Sequence, residues 1–172
     1  MMDPPFDPAR DHVRGPGGAV VLVEYGDFEC PYCRAAFGPV GKVVDRMGGR
    51  VAFAWRHFPI ARKHPHAEHA AEAAEGAAAQ GRFWEMHDLL FANQKALEDD
   101  DLVGYAAQLG LDTARFEEEL RSGAHAARVR EDLESGERSG VEGTPSFFID
   151  GERYGGFYDV ESLTWALEDA GA

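Results

Sequence analysis

Cysteine is scarce in this sequence: the 172 residues include only two, Cys30 and Cys33. A disulfide stabilises a fold mainly by closing a long loop, and cysteines this close in sequence close almost none. A structural zinc site usually needs four ligands, commonly from two such cysteine pairs. This pair suits neither structural role well, which favours a reactive one.

Positive charge and long apolar runs are also scarce. Lys and Arg total 17 against 31 Asp and Glu, so the formal net charge is −14. An acidic surface repels phosphate backbones and anionic lipid, so we expect no nucleic-acid partner. No run approaches the ~20 apolar residues of a membrane helix, so we expect no membrane insertion.

The first 18 residues bear on cellular location. They are rich in proline and aspartate and lack the apolar core of a secretory signal peptide. As written, the sequence predicts a cytoplasmic protein. If a leader has been removed, the same sequence fits a periplasmic or other extracytoplasmic protein.

The first third of the chain predicts a strand–helix–strand unit. Residues 1–18 form a Pro/Gly-rich N-terminal arm, and the apolar run at 19–25 predicts a buried strand. Apolar residues at helical spacing predict a helix over 31–47, which Gly38-Pro39 is expected to interrupt. A second strand is predicted over 50–58.

The rest of the chain changes character twice. Residues 65–136 are almost entirely helix-forming, with short joints at glycines. A strand signal returns at 146–150, followed by an Asp150-Gly151 hairpin turn and a partner strand. Residues 159–170 predict a final helix capped by Asp159. The order β-α-β, helical block, β-β-α predicts a single α/β (α+β) chain.

The cysteine pair follows a predicted strand and opens a predicted helix. The first helical turn has unpaired N–H groups and a partial positive charge, which stabilise a thiolate and lower the thiol pKa. We expect Cys30 near the N-cap, exposed, as the nucleophile. Pro31 suits the first helical position. Cys33, one turn in and more buried, would attack the mixed disulfide that Cys30 forms.

Two distant segments carry a resemblance to a known family. Residues 21–33 read Val-Leu-Val-Glu-Tyr-Gly-Asp-Phe-Glu-Cys-Pro-Tyr-Cys, and residues 143–151 read Gly-Thr-Pro-Ser-Phe-Phe-Ile-Asp-Gly. Together they resemble the DsbA-like branch of the thioredoxin superfamily, and the resemblance covers about residues 13–170. It implies a thioredoxin fold with a large inserted all-helical domain. Similar bacterial domains occur alone and as tails on antiporters.

The resemblance also implies a domain division. Residues 19–63 and 138–172 would form the thioredoxin-fold domain. Residues 64–137 would form the inserted helical domain, and residues 1–18 would remain an N-terminal arm.

Several site residues follow from the resemblance. It implies that Pro145 is a cis-proline facing Cys30, and a proline that opens a strand is consistent with that. The backbone near Thr144 would then pair with an extended substrate peptide. Pro31 and Tyr32, between the cysteines, would also contact substrate.

Glu24 and Tyr32 refine the expected chemistry. Glu24 is an acid within an apolar strand, and the resemblance implies that it relays a proton for the buried thiol, with a raised pKa. DsbA itself has histidine where this chain has Tyr32. Because tyrosine adds no positive charge, Cys30 should be less acidic and the pair less oxidising. The direction of electron flow stays open.

The predicted function is thiol–disulfide exchange with protein substrates and an unidentified redox recycling partner. No cofactor is predicted beyond the redox-active Cys30–Cys33 disulfide. A histidine cluster suggests metal binding, but a helix-start and surface role is favoured, so no metal is predicted; its members are His57, His64, His66 and His69. Two alternatives remain: a non-enzymatic thioredoxin-fold chaperone or binding module, and an enzyme like the kappa-class glutathione transferases and isomerases.

Overall fold

The computed structural model describes residues 1–15, 17 and 19–172, and Pro16 and Gly18 of the predicted arm lie outside the described residues. The strands in the described part are β1 (His12–Arg14), β2 (Val20–Gly26), β3 (Val51–His57), β4 (Ser146–Ile149) and β5 (Glu152–Tyr154). The helices are α1 (Pro31–Met47), α2 (Ala67–Ala78), α3 (Phe83–Ala92), α4 (Asp99–Gln108), α5 (Thr113–Ser122), α6 (Ala126–Arg138) and α7 (Val160–Asp169).

The chain divides into two compact units, each built from discontinuous segments. The first unit contains Met1–Gly26, Pro31–Arg56 and Glu134–Ala172, and the second contains Asp27–Cys30 and His57–Leu133. The unit boundaries therefore fall earlier than the predicted ones at 63/64 and 137/138. The four-residue loop before α1 also belongs to the helical unit.

A five-stranded sheet has the order β1-β3-β2-β4-β5. β2 pairs with β4 in antiparallel register, from Leu22 opposite Ile149 to Tyr25 opposite Ser146. β2 is almost wholly buried because six of its seven residues are apolar or glycine. β2 ends at Gly26 and α1 begins at Pro31, so the central position of β2 fixes where the loop that carries Cys30 begins.

The predicted Asp150-Gly151 turn is confirmed. It joins β4 to β5, and Ile149 lies opposite Glu152 where the hairpin closes. Asp150 and Gly151 have φ values of 47° and 84°, the left-handed backbone that this two-residue turn requires.

The N-terminal segment is part of the first unit rather than a separate arm. Its β1 pairs with β3, with His12 opposite Trp55. The guanidinium of Arg56 is fully buried and donates two hydrogen bonds to the Asp11 carboxylate, at 2.8 and 2.9 Å. It also donates to the carbonyls of Pro4 and Pro5. The prediction of a separate arm is therefore wrong. Sequence reasoning could not foresee these contacts, because bonds between distant residues leave no local pattern in the sequence.

α1 runs from Pro31 to Met47 as one helix, with Pro39 inside it. The predicted interruption at Gly38-Pro39 is wrong. A proline there removes one backbone hydrogen bond. The helix nevertheless buries a continuous apolar face, which stabilises it through that position; its members are Cys33, Ala36, Val40, Val43, Val44 and Met47.

The second unit is helical, as predicted for the middle of the chain. Its first helix, α2, is rich in alanine and buries several of these small side chains, which lets neighbouring helices approach closely. Phe116 of α5 packs so near Gly76 of α2 that an added Cβ would meet its ring at 3.1 Å. Among the described residues, no helix has both the length and the apolar character needed to span a membrane.

Candidate redox site

The two cysteines frame the start of α1. Cys30 is the last residue of the loop, α1 begins at Pro31, and Cys33 is its third residue on the buried face. No disulfide joins them in this structure. Between them, the Tyr32 side chain is 65% exposed. The helix start therefore presents its unsatisfied N–H groups next to Cys30, as the sequence predicts.

The expectation that Cys30 is exposed is wrong. Cys30 is only 3% exposed, and Cys33 is 0% exposed. The reason lies in the loop that carries Cys30. Residues Asp27–Cys30 pack within the helical unit, and hydrogen bonds hold them there at several points.

Asp27 is the hub of this loop. Its buried carboxylate accepts from the backbone N–H of Glu29 at 2.8 Å and of Ile60 at 2.9 Å. His64 Nδ1 lies 2.7 Å from the same carboxylate. The Asp27 carbonyl accepts from the Cys30 N–H at 3.1 Å. Asp27 thus fixes the backbone that delivers Cys30 to the helix start.

Three further contacts complete the hold on the loop. The Glu29 carboxylate accepts from the His66 N–H at 2.7 Å. The Gln94 side-chain amide donates to the carbonyls of Phe28 and Cys30, at 2.9 and 2.8 Å. Sequence reasoning missed Asp27 and Gln94. A buried acid between strand and cysteine pair was an available signal for Asp27, whereas nothing in the sequence marks Gln94.

Glu24 lies on β2 and is 3% exposed. It stands opposite Phe147 in the β2–β4 ladder. Its side chain therefore projects from the middle of an apolar strand, as the sequence suggested. A carboxyl group in such a position is costly unless it is paired or functional.

Thr144 and Pro145 immediately precede β4 and are half-buried. The peptide bond that joins them is cis. Continuing the β2–β4 register by one residue puts Pro145 opposite Gly26, the last residue of β2. The segment thus lies at the end of the sheet from which the Asp27–Cys30 loop departs.

The histidines considered as metal ligands contact acids of the second unit. His57 Nε2 lies 2.9 Å from Glu75, and His64 contacts Asp27. His69 lies 2.6 Å from Asp99, and the hydrogen bond with that carboxylate raises the His69 pKa. Each of these three histidines therefore has a carboxylate within hydrogen-bond distance.

Comparison with known proteins identifies the family. A family model described as thioredoxin matches residues 9–169. The chain belongs to the thioredoxin family. A thioredoxin-like oxidoreductase from Silicibacter pomeroyi DSS-3 is 30% identical, with a TM-score of 0.83 over 95% of this chain and 93% of that one. The predicted thioredoxin fold with a helical insertion is confirmed.

More distant structures share the same fold. Oxidised BdbD from Bacillus subtilis superposes on this thioredoxin-family chain with a TM-score of 0.84, covering 96% of this chain and 95% of that one at 22% identity. Curated relatives are longer proteins. The Na+/H+ antiporter NhaA 1 of Salinispora arenicola is 50% identical over 167 residues, which cover 96% of this chain. The chain spans about a quarter (26%) of that antiporter's length.

Proposed function

We propose that this chain is a thiol–disulfide oxidoreductase that exchanges disulfides with protein substrates through Cys30 and Cys33. The observation that carries the proposal is the position of the pair. Cys30 directly precedes α1 and Cys33 lies in its first turn, within a thioredoxin fold. A thiolate at a helix N-terminus is stabilised by the unsatisfied N–H groups there.

In the reducing direction, the Cys30 thiolate attacks one sulfur of a substrate disulfide. A Cys30–substrate disulfide forms, and the other substrate sulfur leaves as a thiolate. Cys33 then loses its proton and attacks the Cys30 sulfur, which releases the second substrate thiolate and leaves a Cys30–Cys33 disulfide. Two electrons pass to the substrate, and the reverse sequence oxidises a dithiol.

We assign supporting roles to four other residues. Glu24 would accept the proton of the Cys33 thiol, since a buried carboxyl is the kind of group that exchanges protons in such a setting. The backbone at Thr144 and Pro145 would pair with an extended substrate segment. Pro31 and the exposed Tyr32 would contact the substrate between the two cysteines.

The experiment is reduction and oxidation of a model protein disulfide by purified wild type, Cys30→Ser and Cys33→Ser. We expect Cys30→Ser to abolish turnover and Cys33→Ser to accumulate a mixed disulfide visible by mass spectrometry. Wild type without turnover in either direction would contradict the proposal. Full suppression of substrate aggregation by Cys30→Ser would instead favour a chaperone or binding module.

Equilibration of the Cys30–Cys33 pair with a glutathione buffer decides the direction. A potential near about −120 mV would mean an oxidase, and one near about −270 mV a reductase. Because Tyr32 brings no positive charge, we expect a reduction potential more negative than about −120 mV. Direction and compartment are linked, since an oxidase suits an oxidising compartment and a reductase suits the cytoplasm.

A second role is suggested by the antiporter relatives. We propose that the chain acts as a redox domain associated with a Na+/H+ antiporter, because half of its residues match a segment of such proteins. The test adds reduced or oxidised chain to vesicles that contain the antiporter part of the Salinispora arenicola protein. A rate of Na+/H+ exchange that does not change with either form would refute this role.

A further inference from the structure

The loop that carries Cys30 is anchored by the helical unit through both its side chains and its backbone. The Phe28 ring is 1% exposed and packs against the rings of His57, His87 and Phe91, with centroids 5.2–6.0 Å away. The Asp27 and Glu29 side chains of the same loop accept hydrogen bonds from backbone N–H groups of the helical unit. The carbonyl oxygens of Phe28 and Cys30 accept hydrogen bonds from a residue outside this loop.

That donor is the side-chain amide of Gln94, which follows the end of α3. A primary amide has two N–H groups. Its nitrogen lies 2.9 Å from the Phe28 oxygen and 2.8 Å from the Cys30 oxygen, so both N–H groups can be used on this loop. Because two carbonyl oxygens require donors, the amide nitrogen rather than its oxygen must face them. Gln94 itself is half-buried.

We propose that Gln94 is a positioning residue that sets the acidity and redox equilibrium of Cys30, which rests on the exchange function proposed above. Two effects act in the same direction. The amide fixes the Phe28–Glu29 and Cys30–Pro31 peptide groups, which lie before and after Cys30, and so fixes the backbone that sets the direction of the Cys30 side chain. It also donates to the Cys30 carbonyl oxygen, which offsets the partial negative charge of that oxygen within the same residue as the thiol.

Both effects favour the thiolate. An uncompensated carbonyl oxygen next to Cys30 would raise its thiol pKa, since a nearby partial negative charge disfavours the anion. A stabilised thiolate makes the reduced pair more stable and the disulfide a stronger oxidant. Water can replace the lost hydrogen bonds at a half-buried position, so the effect on unfolding should be small.

The test compares Gln94→Ala and Gln94→Glu with the neighbouring variants Asn93→Ala and Asn93→Asp. Asn93 is exposed, and its amide donates to Leu89 of α3 rather than to the redox loop. For each protein, the pH dependence of Cys30 alkylation gives the thiol pKa. Equilibration with glutathione gives the equilibrium constant for disulfide formation, and urea unfolding reports stability.

We expect Gln94→Ala to raise the Cys30 pKa and shift the glutathione equilibrium toward the disulfide by about 3- to 10-fold, the range for loss of a hydrogen bond. Gln94→Glu should shift it further, because it adds a negative charge beside the Cys30 carbonyl. Both Asn93 variants should stay within about 2-fold of wild type, the scatter of independent sites.

The outcomes separate the two proposals. Gln94 variants that match wild type in pKa and equilibrium would refute the role of Gln94 while leaving the exchange function intact. Equal shifts in the Asn93 variants would also refute it, because the effect would then be nonspecific. A wild-type protein that does not equilibrate with glutathione would instead refute the exchange function itself.

Discussion

At the scale of single residues, the buried pair Asp11 and Arg56 shows how burial and charge combine. Burial alone would raise the pKa of Asp11, but the hydrogen bonds and charge of Arg56 outweigh it and hold the pKa below its ordinary value. Burial would lower the pKa of Arg56, and the bond to Asp11 raises it instead. Each partner therefore keeps the other ionised inside the first unit.

Asp11→Asn should destabilise the protein by about 3–5 kcal/mol at pH 7, because it leaves a buried guanidinium without its counter-charge. The pKa of Asp11 is lower in the folded chain, so the stabilisation is complete above the unfolded value of about 3.9. It is lost as the pH falls through the lower, folded value. Urea unfolding between pH 7 and pH 3 measures this, with the difference between wild type and variant shrinking at the acid end.

The control for Asp11→Asn is Arg121→Gln. Arg121 pairs with Glu118 on the surface of α5, where both side chains are mostly exposed. An exposed pair contributes about 0.2–1 kcal/mol. If both substitutions lowered the free energy of unfolding by a similar amount, burial of the Asp11–Arg56 pair would add nothing to its contribution to stability.

Glu24→Gln should slow release of substrate from a preformed Cys30 mixed disulfide by about 10²-fold at neutral pH, as expected for a lost general base. Glutamine keeps the shape of the side chain but accepts no proton. The rate of single-turnover release, measured from pH 5 to pH 9, should also lose the pH dependence that ionisation of Glu24 would give in wild type. Glu152→Gln is the matched control, since it makes the same substitution at an exposed position of β5. A Glu24→Gln profile that superposes on wild type would rule out the relay.

At the scale of elements, glycine has opposite effects in α1 and β2. An added Cβ at Gly41 of α1 meets nothing within 4 Å. At Gly26 of β2 it would lie 2.1 Å from the ring of Trp55. The glycine in β2 is therefore required by the close approach of Trp55, whereas the one in α1 only increases the entropy lost on folding.

We expect Gly41→Ala to stabilise the protein by about 0.5–1 kcal/mol and Gly26→Ala to destabilise it by about 1–3 kcal/mol. Urea midpoints at constant m-value provide the measurement. Gly104→Ala in α4, where a Cβ also meets nothing within 4 Å, should repeat the gain seen at Gly41. Stabilisation by Gly26→Ala would show that Trp55 moves aside without cost.

Elements with a strong local pattern could be predicted from the sequence, and those without one could not. β2, α1 and the Asp150-Gly151 turn follow from apolar spacing and turn chemistry. The N-cap at Asp159 follows as well, and its carboxylate accepts from the Ser162 N–H. β1 was missed because three residues are too few for a periodic signal, and its pairing with β3 spans about forty residues.

The same distinction applies to the candidate site. Cys30 and Cys33 could be found because their spacing and position after a strand carry chemical meaning locally. The contact that fixes the Cys30 carbonyl could not be found in the same way, because its donor, Gln94, is 64 residues away in sequence. The exposure of Cys30 was mispredicted for the same reason: the loop's burial depends on which helices it packs against, which no local pattern reveals.

At the scale of the whole molecule, the two units are interleaved along the chain. The loop that carries Cys30 belongs to the helical unit, and the helix that carries Cys33 belongs to the unit with the sheet. The helical region therefore contributes directly to the environment of Cys30. Under the proposed exchange function this would give the helical insertion a chemical role, which the Gln94 variants test.

The net charge of −14 acts on every approaching reagent. We expect Cys30 to react faster with neutral iodoacetamide than with anionic iodoacetate, by a ratio above that of a small neutral peptide thiol. Screening shortens the Debye length from about 30 Å at 0.01 M salt to about 3 Å at 1 M, so the excess should fall toward the peptide ratio as salt is added. Rates measured across this range test it. A ratio that stays constant would mean that charges near the helix start, rather than the whole acidic surface, control access to Cys30.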